Sequence, residues 1–261
     1  MHNYFPFFFS IIAILTTISC NKDLEIKNDN PPNTERIIVP INNYTIAVNE
    51  PSGLSFDANG NLFCVDDNSN QIYNITKEGV VLSVLPYIGN DLESVSYNPK
   101  SNKIYTTHEG ERKLIELDYQ GTKLNEWQFT VSGGSSNKGF EGLAIDSDNE
   151  IFYILNEASP ALLIVWDYKT KSIIEQINLK IAKDYSGIFY DKRDSTLWIV
   201  SDKSQKLFNT TLKGEIIDSF DLDYDKAEGI VVDITSNLIY IVRDFQTTIK
   251  LYVYKISTKS I

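Results

Sequence analysis

From residue 51 onward the chain alternates short apolar runs with brief polar turns, and no stretch sustains a helical period. The runs recur as one unit. Each unit opens on a short apolar strand: "PSGLSFD" from Pro51, "LESVSYN" from Leu92, "GFEGLAID" from Gly139, "YSGIFYD" from Tyr185 and "AEGIVVD" from Ala227. An Asp/Asn-rich turn follows, such as "DANGN" or "DSDNE", whose side chains bond back to the backbone and tolerate left-handed conformations. A second strand, rich in β-branched and aromatic residues, ends in acid: "LFCVDD", "IYTTHE", "IFYILNE", "LWIVSD", "IYIVRD". A third strand alternates, as in "KLIELD" and "KLYVYKI", and a fourth follows a Gly-containing turn, as in "EIIDSFDL".

The units are marked by Ser52, Glu93, Glu141, Ser186 and Glu228, each before Gly except in the second unit, where Ser94 follows. The spacings are 41, 48, 45 and 42 residues, the length of a four-stranded propeller blade. The fifth unit stops after "KLYVYKI" (250–256), one strand short, while a spare strand, "RIIVPINNYTIAV" (36–48), precedes the first unit. The pattern therefore predicts an all-β fold, a five-bladed β-propeller over residues 36–261 closed by an N-terminal strand. That closure covers an edge that would otherwise template aggregation.

The first 35 residues are of another kind. Residues 5–18, "FPFFFSIIAILTTI", are almost wholly apolar and are followed by Ser19 and Cys20. The run is short for a membrane span and suits the core of a secretory signal. The small residue before Cys20 resembles a bacterial lipoprotein signal, although Thr17 replaces the usual leucine and no Lys or Arg precedes the run. The expectation is a signal peptide over 1–19, lipidation at Cys20 and a polar tether over 20–35; an ordinary signal peptide or an uncleaved anchor is the alternative. A membrane-anchored lipoprotein of the cell envelope follows. Cys64, the other cysteine, then has no disulfide partner and sits in a strand pattern as a small buried hydrophobe.

Composition is that of an ordinary globular protein, 42% hydrophobic and 23% charged. The formal net charge of −11 argues against nucleic acid and favours a cationic guest, or serves solubility alone.

Charge matters most at the anchors. The first strand of each blade lines a propeller's channel, so Ser52, Glu93, Glu141, Ser186 and Glu228 form a ring at one mouth. Three carboxylates so placed repel one another unless compensated. A hard cation is the simplest compensation, and calcium takes carboxylate, hydroxyl and carbonyl oxygens. No His or Cys stands at an anchor, which argues against zinc and copper. The alternative is that each glutamate bonds to neighbouring backbone amides. A second acidic ring is expected at the ends of the second strands, from Asp66, Glu109, Glu157, Asp202 and Asp244, on the same face. It reads equally as a solvated loop face.

"NKGFEGLAID" (137–146) and "YILNEASP" (153–160), with "YSGIFYD…LWIVSDKSQKL" and "KAEGIVVD", resemble the SdiA-regulated (YjiK-like) family of bacterial proteins over roughly residues 40–256. The resemblance implies a five-bladed propeller distantly similar to NHL-repeat proteins, with calcium at a recurrent site and no established activity. Carried over residue by residue, it implies Glu93, Glu141 and Glu228 as calcium ligands, with Ser94 departing from the Glu-Gly pair.

Two functions follow as expectations. One is a monomeric, calcium-bearing module that binds an envelope protein or small ligand. The other is a calcium-dependent esterase or lactonase, in which the metal polarises an ester and a base activates water. His108, in "THEGER", is the candidate imidazole base, with Glu109 or Glu157 as substitutes, and the loop "VSGGSSNKG" (131–139) is placed to gate the mouth. No Gly-x-Ser-x-Gly nucleophile elbow occurs.

Overall fold

Among the described residues, twenty strands account for the regular structure. The computed structural model describes residue 1 and residues 34–131, 138–245 and 248–260. The signal segment, Cys20, the tether before residue 34 and most of the loop 131–139 lie outside the described residues.

The chain starts with β1 (Thr34–Thr45). The first sheet holds β2 (Pro51–Phe56), β3 (Leu62–Asp66), β4 (Gln71–Ile75) and β5 (Val81–Ile88) in sequence order. The second holds β6 (Leu92–Asn98), β7 (Lys103–His108), β8 (Lys113–Asp118) and β9 (Lys123–Gln128). The third holds β10 (Phe140–Asp146), β11 (Ile151–Asn156), β12 (Leu162–Asp167) and β13 (Ser172–Asn178). The fourth holds β14 (Gly187–Asp191), β15 (Thr196–Ser201), β16 (Lys206–Thr210) and β17 (Ile216–Asp221). The last contributes β18 (Ala227–Asp233), β19 (Leu238–Arg243) and β20 (Lys250–Ser260), and β1 completes it as the outer strand. The inner strands β2, β6, β10, β14 and β18 touch in a closed cycle, β18 returning to β2. The protein is the five-bladed propeller that the repeat predicts.

The closing strand differs from expectation at both ends. It begins at Thr34, and it stops pairing at Thr45, opposite Lys250. Ile46 and Val48 continue its apolar pattern, but they turn into the core between the last blade and the first. The residues left after 256 prolong β20, so that Ser260 pairs with Thr34.

Each inner strand ends in, or is directly followed by, a side chain that caps the following turn. Asp57 Oδ1 accepts the Asn59 and Asn61 amides at 2.8 Å, and Asn98 Oδ1 accepts that of Lys100 at 3.0 Å. Left-handed residues then close these turns, among them Gly60, Asn102 and Asn237 with φ of 81°, 53° and 55°.

The core is divided into five seams, one between each pair of neighbouring blades. Side chains of an inner strand alternate between the two seams that flank it. In β10, Leu143 and Ile145 pack backward with Tyr105 and Phe152, while Ala144 packs forward with Tyr185 and Leu197. Each fully buried Leu or Ile in such a seam contributes about 1.5–3 kcal/mol, so closing the ring stabilises every blade through both neighbours.

The candidate acidic mouth and its channel

The alternation breaks at each anchor. Leu92 and Val95 face the same seam although they are three residues apart, and so do Phe140 with Leu143 and Ala227 with Ile230. An unbroken strand would send residues at odd spacing to opposite faces. The ladder accommodates this by shifting register between Leu92 and Ser94, Phe140 and Gly142, Ala227 and Ile230, and Pro51 and Leu54. In the fourth blade both Ser186 and Gly187 oppose Val200. The anchor is thus the extra residue of a β-bulge, which frees its side chain from either seam and aims it at the channel. The following glycine serves the same geometry: a Cβ on Gly187 would sit 2.3 Å from the Glu228 carbonyl oxygen of the next blade.

All five anchors line one cavity of about 260 Å³. The serine anchors support glutamates of the next blade. Ser52 Oγ lies 2.9 Å from Glu93 Oε2, and Ser186 donates to the Glu228 carboxylate. Glu141 follows a glutamate anchor rather than a serine, and its side chain hydrogen-bonds the Glu109 carboxyl instead.

The second ring is also at this mouth, with two corrections: neither Asp66 nor Glu109 lines the cavity. Glu157, Asp202 and Asp244 line the cavity, and Asp67 lines it in place of Asp66. Asp67, Glu109, Glu157 and Asp244 are each the first residue past their strand, and each amide donates to the carbonyl two positions before the anchor, 2.8–2.9 Å away. Asp66 is the last residue of β3, fully buried, with its carboxylate turned to the amides of Asn49, Glu50 and Ser69. "LFCVDD" ends in two acids, and alternation exposes only the second. Glu109 is buried and accepts the Gly139 amide at 2.9 Å.

His108 stands at the position equivalent to Asp66 and shares its fate. Its Nε2 is 3.0 Å from Tyr87 Oη and its Nδ1 3.3 Å from Glu111, and burial lowers its pKa. It does not line the acidic cavity, so the expected imidazole base is not at the mouth.

The acids do not gather as Glu93, Glu141 and Glu228. Among the described residues, two other groups of three have oxygens within 4.8 Å of one another: Asp67, Asp91 and Glu93, and Glu109, Glu141 and Glu157. For Glu93 and Glu228 the neighbouring charge that raises each most is the strand-end acid of the preceding blade, Asp67 and Asp202, whereas for Glu141 it is the anchor Glu93 and then Glu109. The position two before the anchor adds carboxylates that the repeat reading passed over: Glu50, Asp91 and Asp184 all lie there, a periodicity visible in the chain.

Burial and mutual repulsion push Glu228, Asp67, Glu93 and Glu141 upward. Glu228 rises to about 8 through burial and then Asp202, and Asp67 to about 6 through burial and then Asp91. Glu93 is raised by burial and Asp67, and Glu141 by burial and Glu93. The opposite flank is compensated: Lys203 Nζ bridges Glu157 at 2.9 Å and Asp184 at 3.5 Å. Below the anchors the space between Leu54, Val95, Leu143, Ile188 and Ile230 is a separate cavity of only about 10 Å³, room for one water at most. The mouth is therefore a blind acidic cup.

The chain matches the family model described as SdiA-regulated over residues 34–252, and it belongs to that family. Among solved structures it is similar to a glutaminyl cyclase from Myxococcus xanthus, at 12% identity over 85% of this chain and 98% of that one, with a TM-score of 0.66. It is also similar to a luciferin-regenerating enzyme, at 12% identity over 85% and 95% of the two chains, TM-score 0.53. A streptogramin B lyase matches at 15% identity over 87% and 73%, TM-score 0.50. Likeness at these identities speaks to fold alone.

Proposed function

We propose that this protein is a lipid-anchored, monomeric propeller of the cell envelope whose acidic cup takes up calcium and which acts as a binding module for an envelope protein or small ligand. The reading rests on the group Glu109, Glu141 and Glu157, whose oxygens lie within 4.8 Å of one another. Two oxygens that share a calcium ion at about 2.4 Å can stand at most about 4.8 Å apart, so the donor set suits the ion in hardness and reach. Glu141 supports it further, because its carboxylate is raised by burial and by Glu93, Glu109, Glu228 and Glu157. A divalent ion would relieve that repulsion. Glu93, with Asp67 and Asp91, offers a second group of the same kind, and Glu228 lines the cup without belonging to either.

The test is calorimetry on chelator-dialysed protein. Calcium should raise the melting temperature, by an amount that grows with the logarithm of its concentration, Glu141→Gln should reduce the rise, and Glu141→Gln with Glu93→Gln should abolish it. Absence of any rise at millimolar calcium would remove the metal from the reading. The anchor is tested separately: Cys20→Ser should move the protein from the membrane fraction to the soluble one. Among the described residues the esterase or lactonase reading has no imidazole lining the cup, leaving Glu109 or Glu157 as bases. Turnover of aryl esters or lactones that chelation removes would restore it.

A further inference from the structure

The far end of the channel is a second cavity that calcium uptake does not use. It has a volume of about 600 Å³, and the apolar waist closes its floor. Its lining is graded by depth. Leu54, Leu143 and Ile188 form the floor, and the partly exposed Phe56, Tyr97, Phe189 and Tyr190 stand along the wall. Asp57, Asp146 and Asp233 follow at the strand ends. At a strand rise of about 3.3 Å per residue, floor and carboxylates are about 10 Å apart. The width has a cause in the sequence. The residue after the floor position is Ser55, Ser96 or Ala144 on three blades, against Phe189 and Val231 on the other two.

The charges of this funnel do not cancel. Asp148 pairs with Lys100 at 2.6 Å, and Asp233 with Lys77 at 3.1 Å. Asp57 and Asp146 pair with no cation among the described residues. Asp57 accepts two backbone amides at 2.8 Å and Asn74 Nδ2 at 2.9 Å. Asp146 accepts the amides of Asp148 and Asn149 at 3.0 and 3.2 Å and Asn149 Nδ2 at 2.7 Å. Their side chains line the cavity at 7% and 4% residue exposure. Lys192 is exposed at the rim. Apolar floor, aromatic wall and two carboxylates without a countercharge describe the complement of one chemical class.

We propose that this funnel binds an amphipathic organic cation: an aromatic amine or quaternary ammonium whose apolar body rests on the wall and floor and whose charge lies at the Asp57 and Asp146 ring. Aromatic faces attract such a cation as well as its hydrocarbon, and the volume is that of a small-molecule site. The experiment is a fluorescence titration of the full chain with berberine, an aromatic quaternary ammonium, beside the anionic anilinonaphthalene sulfonate. Berberine should bind saturably at one site and more tightly than the sulfonate. Asp57→Asn with Asp146→Asn should weaken berberine about tenfold, which corresponds to about 1.4 kcal/mol. The turns should survive this change, because Asn98 already caps the equivalent turn. A charge-matched pair on the outer strands, Glu175→Gln with Asp221→Asn, should leave berberine binding unchanged. Equal losses in both double variants would show general attraction to an acidic protein and overturn the site. So would binding of the sulfonate as tight as that of berberine, or no saturable berberine binding at all.

Discussion

Gly229 of the fifth blade lies against Ser52 of the first so closely that a Cβ on it would sit 2.1 Å from the Ser52 carbonyl oxygen. The two residues are far apart in the chain, and their contact is where the ring of inner strands closes. Gly229→Ala should therefore destabilise the whole propeller rather than one blade. The overlap is with backbone, which cannot swing aside, and a loss of about 1–3 kcal/mol is expected from such overpacking. Urea denaturation should show a lower midpoint with an unchanged slope. A midpoint equal to that of the parent would mean the blades can part there without cost.

Closure also depends on β1. Its partner β20 would become an open edge if residues up to Thr45 were removed, and Ile38, which packs beside Trp198 and Phe220, would leave the last seam. The truncated chain should self-associate and melt at a lower temperature. Light scattering on the purified truncation checks this; a monomer of undiminished melting temperature would contradict it.

The acidic cup gives a pH dependence of defined sign. Glu228 is raised from 4.5 to about 8 in the folded protein. Between those values the folded state holds a proton that the unfolded state has released, so this residue's contribution to stability is present at low pH and fades as pH rises toward 8. In chelator, Glu228→Gln should therefore gain on the parent as pH goes from 5 to 8. Melting curves of both proteins across that range provide the measurement, and a constant difference would place Glu228 in an ordinary, solvated setting.

Glu116 is a buried carboxylate with a structural task. Its side chain is wholly buried and is held by Lys103 Nζ at 2.6 Å, Tyr168 Oη at 2.6 Å and Asn125 Nδ2 at 3.1 Å. It ties the second blade to the third. Glu116→Ala removes the common acceptor and leaves a cavity, and should cost about 2–4 kcal/mol in denaturation. A cost below about 0.5 kcal/mol, the level of an ordinary surface change, would show that the network does not hold the seam.

The cup was only half legible in the chain. The recurrence of Glu93, Glu141 and Glu228 at one position in the repeat sufficed to place them around one mouth. Which acids share an oxygen-to-oxygen distance short enough for one ion was not legible. That depends on the bulge, which turns each anchor into the channel, and on the distances between blades. A trace of the bulge was present: the apolar pairs Leu92 with Val95 and Phe140 with Leu143 are spaced by three, where a plain strand spaces them by two or four. The same one-residue phase separates Asp67 from Asp66, and Glu109 from His108. Counting acids near a strand end cannot resolve it, whereas strand parity can.

The wide funnel had no signal of its own. Ser55, Ser96 and Ala144 are unremarkable small residues until three blades bring them around one axis.

Taken alone, the sequence determined the number of blades, the closing strand and the capped turns. These follow from local periodicity, from turn chemistry and from the count of strands in the last repeat, all properties of short segments. Only the tertiary structure decided which carboxylates meet, which histidine is turned aside and where the channel is blocked. Those depend on distances between blades, and such distances are set by backbone contacts like that of Gly229 with Ser52, which no single segment contains.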